Sequence, residues 1–233
     1  MKLSSRLQKF NEPETLKMAK LGRELRAKGV DVIDLSLGEP DFDTPDHVKQ
    51  FAKKAIDDNY SHYTPVAGYA DLREAVCTKL KRDNNLDYKP ENILASTGAK
   101  QSLANIILAV VDIGDEVIIP TPYWVTYSEL VRLADGKPVF VQSSIESNYK
   151  ITPEQLEAAI TPKTKLFMFS SPCNPSGSVY SREELKGLAE VFSKYPDVLI
   201  ISDEIYEYIN YKGKHESIAQ FADIKDRVII VNG

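Results

Sequence analysis

Residues 198–208 read VLIISDEIYEY. The apolar run from Val198 to Ile201 has the pattern of a strand buried on both faces of a sheet. It stops at Ser202, and two acids follow, Asp203 and Glu204, with Tyr206 close behind. A carboxylate at the end of a buried strand loses its hydration at a cost unless a partner compensates it. The nature of that partner decides what the chain does.

The same unit recurs on both sides of this stretch. Apolar strand patterns are expected at 92–97 (NILAST), 116–120 (EVIIP), 137–142 (KPVFVQ), 165–170 (KLFMFS), 198–202 and 227–232 (RVIIVN). Helical spacing fills the gaps at 99–112, 123–135, 152–160 and 181–195, with a short helix near 215–221. Two further helices precede them. One, at 44–59, opens with Thr44 as N-cap and Pro45 in the first turn; the other runs over 69–85. Parallel strands need crossovers of this length, and such crossovers are nearly always right-handed. The pattern predicts an α/β fold, a doubly wound and mostly parallel sheet with helices on both faces. Residues 1–40, with a short strand pattern at 30–38, stand outside this rhythm. They read as an N-terminal arm and part of a second, smaller domain, and 41–233 as the large domain.

Composition narrows the class. Hydrophobic residues at 42% and charged residues at 27% fit an ordinary soluble globular protein. The formal net charge of −5 argues against a general affinity for nucleic acid or an anionic membrane. Cys77 and Cys173 lie far apart, without C-x-x-C spacing, so neither a disulfide framework nor a metal site is expected. The first 20 residues lack a continuous apolar core, and the longest apolar run, at 106–111, is too short to span a bilayer. A cytoplasmic location is expected.

Open α/β sheets bind ligands beyond the carboxyl ends of their strands. After 92–97 comes TGAKQ, where Gly98 lets a ligand approach a helix start whose free N–H groups suit phosphate. A tight turn without ligand explains it equally well. After 116–120 comes TPYW, where Trp124, the only tryptophan, is placed to stack on a planar ligand or simply to pack. After 165–170 comes SPCNPSG, where Asn174 has an amide to donate and either X-Pro bond is a candidate for cis. Turn chemistry alone also accounts for it. Asp203 itself reads as a helix N-cap, a solvated acid or a magnesium-binding acid. The last needs a G-x-x-x-x-G-K-[ST] loop, which is absent, as is G-x-G-x-x-G after any strand.

Together these stretches resemble the class I/II aminotransferases, pyridoxal 5′-phosphate (PLP) enzymes of the aspartate aminotransferase fold. The matching segments are LSLGEPDFDTP (35–45), HYTPVAGYADLREAV (62–76), STGAKQ (96–101), PTPYWVTY (120–127), SSPCNPSG (170–177), SDEIYEYINY (202–211) and VNG (231–233). By this resemblance Asp203 sits against the pyridine nitrogen of PLP and keeps it protonated, so the ring is the partner that its burial demands. Tyr206 and Asn174 bond the phenolic oxygen, Trp124 stacks on the ring, and the backbone of Gly98, Ala99 and Lys100 holds the phosphate. Tyr63 reaches the phosphate of a neighbouring subunit, implying a homodimer with shared active sites. Gly38, Thr15 and Lys100 meet the substrate, beside Trp124 and Asn174, and Lys100 contacts the side-chain carboxylate of a dicarboxylic amino acid. Pro13 departs from the serine common in that subgroup.

The resemblance implies transamination between an amino acid, aspartate or glutamate, and a 2-oxo acid. Alternatives on the same fold are a PLP-dependent lyase or decarboxylase and a PLP-binding regulatory domain without turnover. The lysine that carries PLP is expected just beyond Gly233, and no lysine within the chain matches its motif. The expectation is therefore a piece of a longer enzyme.

Overall fold

The computed structural model describes residues 14–33, 35, 38, 40 and 42–233, with side chains of the first helix from Lys17 onward. The chain divides into two compact units, one up to Pro65 and one from Val66. In the first unit lie helices α1 (Glu14–Ala27) and α2 (Asp46–Asp57). No element is expected from sequence over α1. Its end is set by Gly29 at φ +80°, where Gly29 N donates to Arg26 O and Val30 N to Leu25 O, a left-handed helix stop. The short strand expected at 30–38 is absent at its described positions, which carry no regular structure.

The second unit is a five-stranded sheet in the order β2-β1-β3-β4-β5, every pair parallel. The strands are β1 (Glu116–Thr121), β2 (Lys137–Gln142), β3 (Thr164–Ser170), β4 (Leu199–Asp203) and β5 (Val228–Val231). Helices α3 (Ala70–Asn84), α4 (Ala99–Val110), α5 (Thr126–Leu133), α6 (Pro153–Ala159) and α7 (Arg182–Phe192) accompany them. The doubly wound α/β architecture is thus present. None of the helices over the described residues is long and apolar enough to cross a membrane.

Alternation along the strands builds two cores, because successive side chains point to opposite faces. Ile118, Phe167, Phe169 and Ile200 pack with α6 and α7, while Val117, Ile119, Leu166, Met168 and Ile201 pack with Leu103 and Ile107 of α4 and Val131 of α5. Asp203 is two residues beyond Ile201 and so shares the α4/α5 face.

Two expected elements differ. Residues 92–97 form no strand: Ala95 N donates to Ala67 O, but no ladder forms among the described residues. The apolar pattern is there, yet a strand exists only with a neighbour to pair with. Near 215–221 the chain makes only a 3-10 turn at Ile218–Gln220, capped by Ser217.

Candidate active site

Strand order reverses between β1 and β3, since the chain leaves β1 toward one edge and β3 toward the other. The loops after these two strands carry Trp124 and Asn174, and β4, next to β3, ends on Asp203. Three residues that the sequence singles out therefore follow adjacent strands at one end of the sheet.

Asp203 is 3% exposed. Its Oδ2 accepts a 2.6 Å hydrogen bond from Tyr127 Oη, and its Oδ1 a 3.2 Å bond from Ile205 N. Burial pushes its pKa up, and these two hydrogen bonds only partly oppose the shift. Among the described residues no cation pairs with it. The carboxylate is thus anchored by neutral donors and short of a positive partner. Tyr127 is equally buried, and its hydroxyl is driven up by desolvation and by the adjacent Asp203 charge, so it stays a donor.

Tyr127 connects Asp203 to the other elements. Its ring meets Trp124 edge-on at 5.7 Å between centroids, and Lys100 Nζ lies 5.0 Å above the Trp124 ring. Asp203, Tyr127, Trp124 and Lys100 therefore form one continuous line from the end of β4 to the first turn of α4. The sequence patterns do not single out Tyr127. Its only signal is a polar-tipped aromatic three residues after Trp124.

The first turn of α4 is open. Its N-cap, Gly98, offers no side chain, whereas Thr152 caps α6 and Ser181 caps α7. The ladder starts with Gln101 N and Ser102 N bonding to Gly98 O, so the amides of Ala99 and Lys100 precede it. Gly98 has φ +80° and ψ 163°, a region nearly reserved for glycine, and a Cβ there would meet nothing within 4 Å. That combination of open space, free amides and nearby Lys100 suits an anion.

On the other side, Asn174 Nδ2 donates to Tyr206 Oη at 3.3 Å, and Ser171 N donates to Asp203 O at 3.2 Å, so the 171–177 loop is tied to the β4 end. Both proline bonds of that loop, and Thr121–Pro122, are cis. Gly38 and Tyr63 belong to the first unit and are exposed, Tyr63 fully so. The side chain of Thr15 lies outside the described residues, as does Pro13. A hollow of about 310 Å³ lies elsewhere, between Asn84–Asp87 and the 214–225 segment, and none of the expected site residues lines it.

A parallel sheet with an anion-ready helix start, an aromatic platform and a buried acid beyond adjacent strand ends defines a family. The chain belongs to the aminotransferases of class I and II, whose family model matches residues 30–233. It is 48% identical over 235 residues to an aspartate/prephenate aminotransferase of Nitrosomonas europaea, covering all of this chain and 59% of that protein. An aspartate aminotransferase of Bacillus subtilis is also 48% identical, with 60% of its length covered. The crystal structure of the aspartate aminotransferase of Rhizobium meliloti superposes with a TM-score of 0.97 at 42% identity, over all of this chain and 59% of that one. The chain thus spans about three fifths of the length of the relatives it matches.

Proposed function

We propose that this chain is the cofactor-binding part of a PLP-dependent aminotransferase that moves an amino group between aspartate or glutamate and a 2-oxo acid. The observation that carries the reading is Asp203: a buried carboxylate held by neutral donors, with no cation beside it among the described residues, is the complement of a protonated pyridine ring. PLP, when bound, supplies an electron sink for the carbanion left at the substrate α-carbon.

The chain's own residues then have defined tasks. Asp203 holds the proton on the ring nitrogen, and Tyr127 orients that carboxylate. Gly98, Ala99 and Lys100 hold the phosphate through backbone amides, and Trp124 covers one ring face. Tyr206 and Asn174, already bonded to each other, present a hydroxyl and an amide to the phenolic oxygen. Lys100, above Trp124, faces the substrate's side-chain carboxylate. By the family resemblance we assign Gly38 and Thr15 to substrate binding, and residues 1–40 to the arm and part of the smaller domain. The exposure of Tyr63 supports its reaching the phosphate of a second subunit in a homodimer. We place the protein in the cytoplasm.

The relatives' names support aspartate as donor, and several of them pair it with prephenate. The test is amino transfer by the full-length protein from aspartate or glutamate to a panel of 2-oxo acids, with elimination and decarboxylation products measured alongside. Transfer with regeneration of a 2-oxo acid supports the reading. Elimination or decarboxylation as the main outcome contradicts it in favour of a lyase, and PLP uptake without turnover in favour of a regulatory domain.

A further inference from the structure

The first turn of α4 is braced by its own side chains, and one of them has no task in the proposed chemistry. Gln101 is exposed and lies three residues beyond Gly98. Its side-chain Oε1 accepts a hydrogen bond from Thr97 N, and its main-chain N–H donates to Gly98 O at 3.1 Å. One residue thus bonds the backbone on both sides of the Gly98 Cα. Gly98 O also accepts from Ser102 N at 3.3 Å and from Ser96 Oγ at 3.4 Å, and the Ser96 and Ser102 hydroxyls bond to each other.

These bonds fall where the backbone has most freedom to lose. Gly98 sits at φ +80° and ψ 163° and has no side chain to pin the helix start. An untethered glycine samples more backbone conformations than any other residue. Thr152 and Ser181 fix their helices by capping a first-turn amide from outside. A capping side chain at 98 would occupy the open space beside the free amides of Ala99 and Lys100, where an anion approaches. Gln101 fixes the same kind of turn from inside the helix. It takes up the amide of Thr97, which precedes the helix, and leaves those of Ala99 and Lys100 to a ligand.

We propose that Gln101 is a positioning residue for the phosphate turn: it holds Gly98 in its positive-φ conformation before the cofactor arrives, so that Ala99 N–H and Lys100 N–H are already presented to the phosphate of PLP. Binding then proceeds without the entropy cost of ordering the turn. The proposal deepens the PLP reading above and rests on it.

The test uses the full-length protein as wild type, Gln101→Met and Gln101→Glu. Methionine matches glutamine in length and helix propensity but offers no comparable acceptor. The readouts are hydrogen exchange of the 96–101 segment without cofactor, affinity for PLP and for pyridoxal, which lacks the phosphate, and thermal unfolding. Because Gln101 is exposed, its replacement leaves both cores intact. In Gln101→Met the segment is expected to exchange faster and PLP to bind about threefold to tenfold more weakly, the worth of one hydrogen bond. Pyridoxal should bind as to wild type. Gln101→Glu keeps an acceptor oxygen at the same reach, so its segment should exchange at the wild-type rate. A purely structural role would lower the melting temperature or weaken both ligands alike. Wild-type exchange or wild-type PLP affinity in Gln101→Met, equal losses for PLP and pyridoxal, or Gln101→Glu exchanging as fast as Gln101→Met would each overturn the proposal. A wild type that binds PLP no better than pyridoxal would instead remove the phosphate from this turn, and the proposal would fall with the reading beneath it.

Discussion

Tyr127 Oη donates a 2.6 Å hydrogen bond to Asp203 Oδ2, linking helix α5 to the end of strand β4 across 76 residues of sequence. A hydrogen bond to a buried charged group contributes about 1.5–3 kcal/mol. Tyr127→Phe should lower stability by about that much in urea unfolding. It should also weaken PLP binding, because the carboxylate loses one of its two donors. Wild-type stability and affinity in this variant would show that the bond does not orient Asp203.

The raised pKa of Asp203 has a consequence for the cofactor-free protein. Its folded pKa lies above the usual 3.8, so between those two values the folded state binds more protons than the unfolded state. Its contribution therefore makes stability fall as pH rises through that window and stay low above it. Asp203→Asn removes this contribution. The stability difference, wild type minus variant, should become less favourable to wild type from about pH 4 upward and then level off. Thermal unfolding across pH measures it, and a flat difference would contradict the assignment. Added PLP should reverse the sign at neutral pH by supplying the missing cation.

Gly98 permits a clean separation of strain from binding. At φ +80° any side chain is strained by about 1–3 kcal/mol. A new Cβ meets nothing within 4 Å, so no clash within the chain adds to that. Gly98→Ala should weaken PLP binding well beyond the stability loss, while pyridoxal, which lacks the phosphate, should bind nearly as before. Equal losses for both ligands would remove the phosphate from this turn.

Lys100 above Trp124 should sort substrates. Lys100→Met is expected to raise KM for aspartate and glutamate by about tenfold, the worth of one charge-assisted contact, with little change in kcat. Donors without a side-chain carboxylate should be nearly unaffected. Steady-state kinetics with both donor classes check this, and a uniform loss would reassign Lys100 to cofactor binding.

The parts of the fold that are legible in the sequence are those whose information is local. β1, β3 and β4 are apolar on both faces, and in a chain of alternating elements such short runs fit little but a buried parallel strand. Thr152 and Ser181, each with Gln155 or Glu184 three residues on, mark helix starts that stand out by eye. Residues 92–97 carry the same kind of pattern, but a strand is a property of a pair, and a pattern does not reveal whether a partner lies alongside. Gly98, Trp124, Asn174 and Asp203 are visible because each follows an apolar segment. Tyr127 is not, because its role depends on Asp203 in another element, and no local spacing announces such a meeting.

The central claim is that Asp203 neutralises a protonated pyridine nitrogen. Nitrogen-15 NMR of the full-length protein loaded with ring-labelled PLP reads that proton directly. In wild type at neutral pH the ring nitrogen should show the shift of a pyridinium, and in Asp203→Ala the shift of a neutral pyridine. A neutral ring in wild type, or a pyridinium that persists in Asp203→Ala, would contradict it.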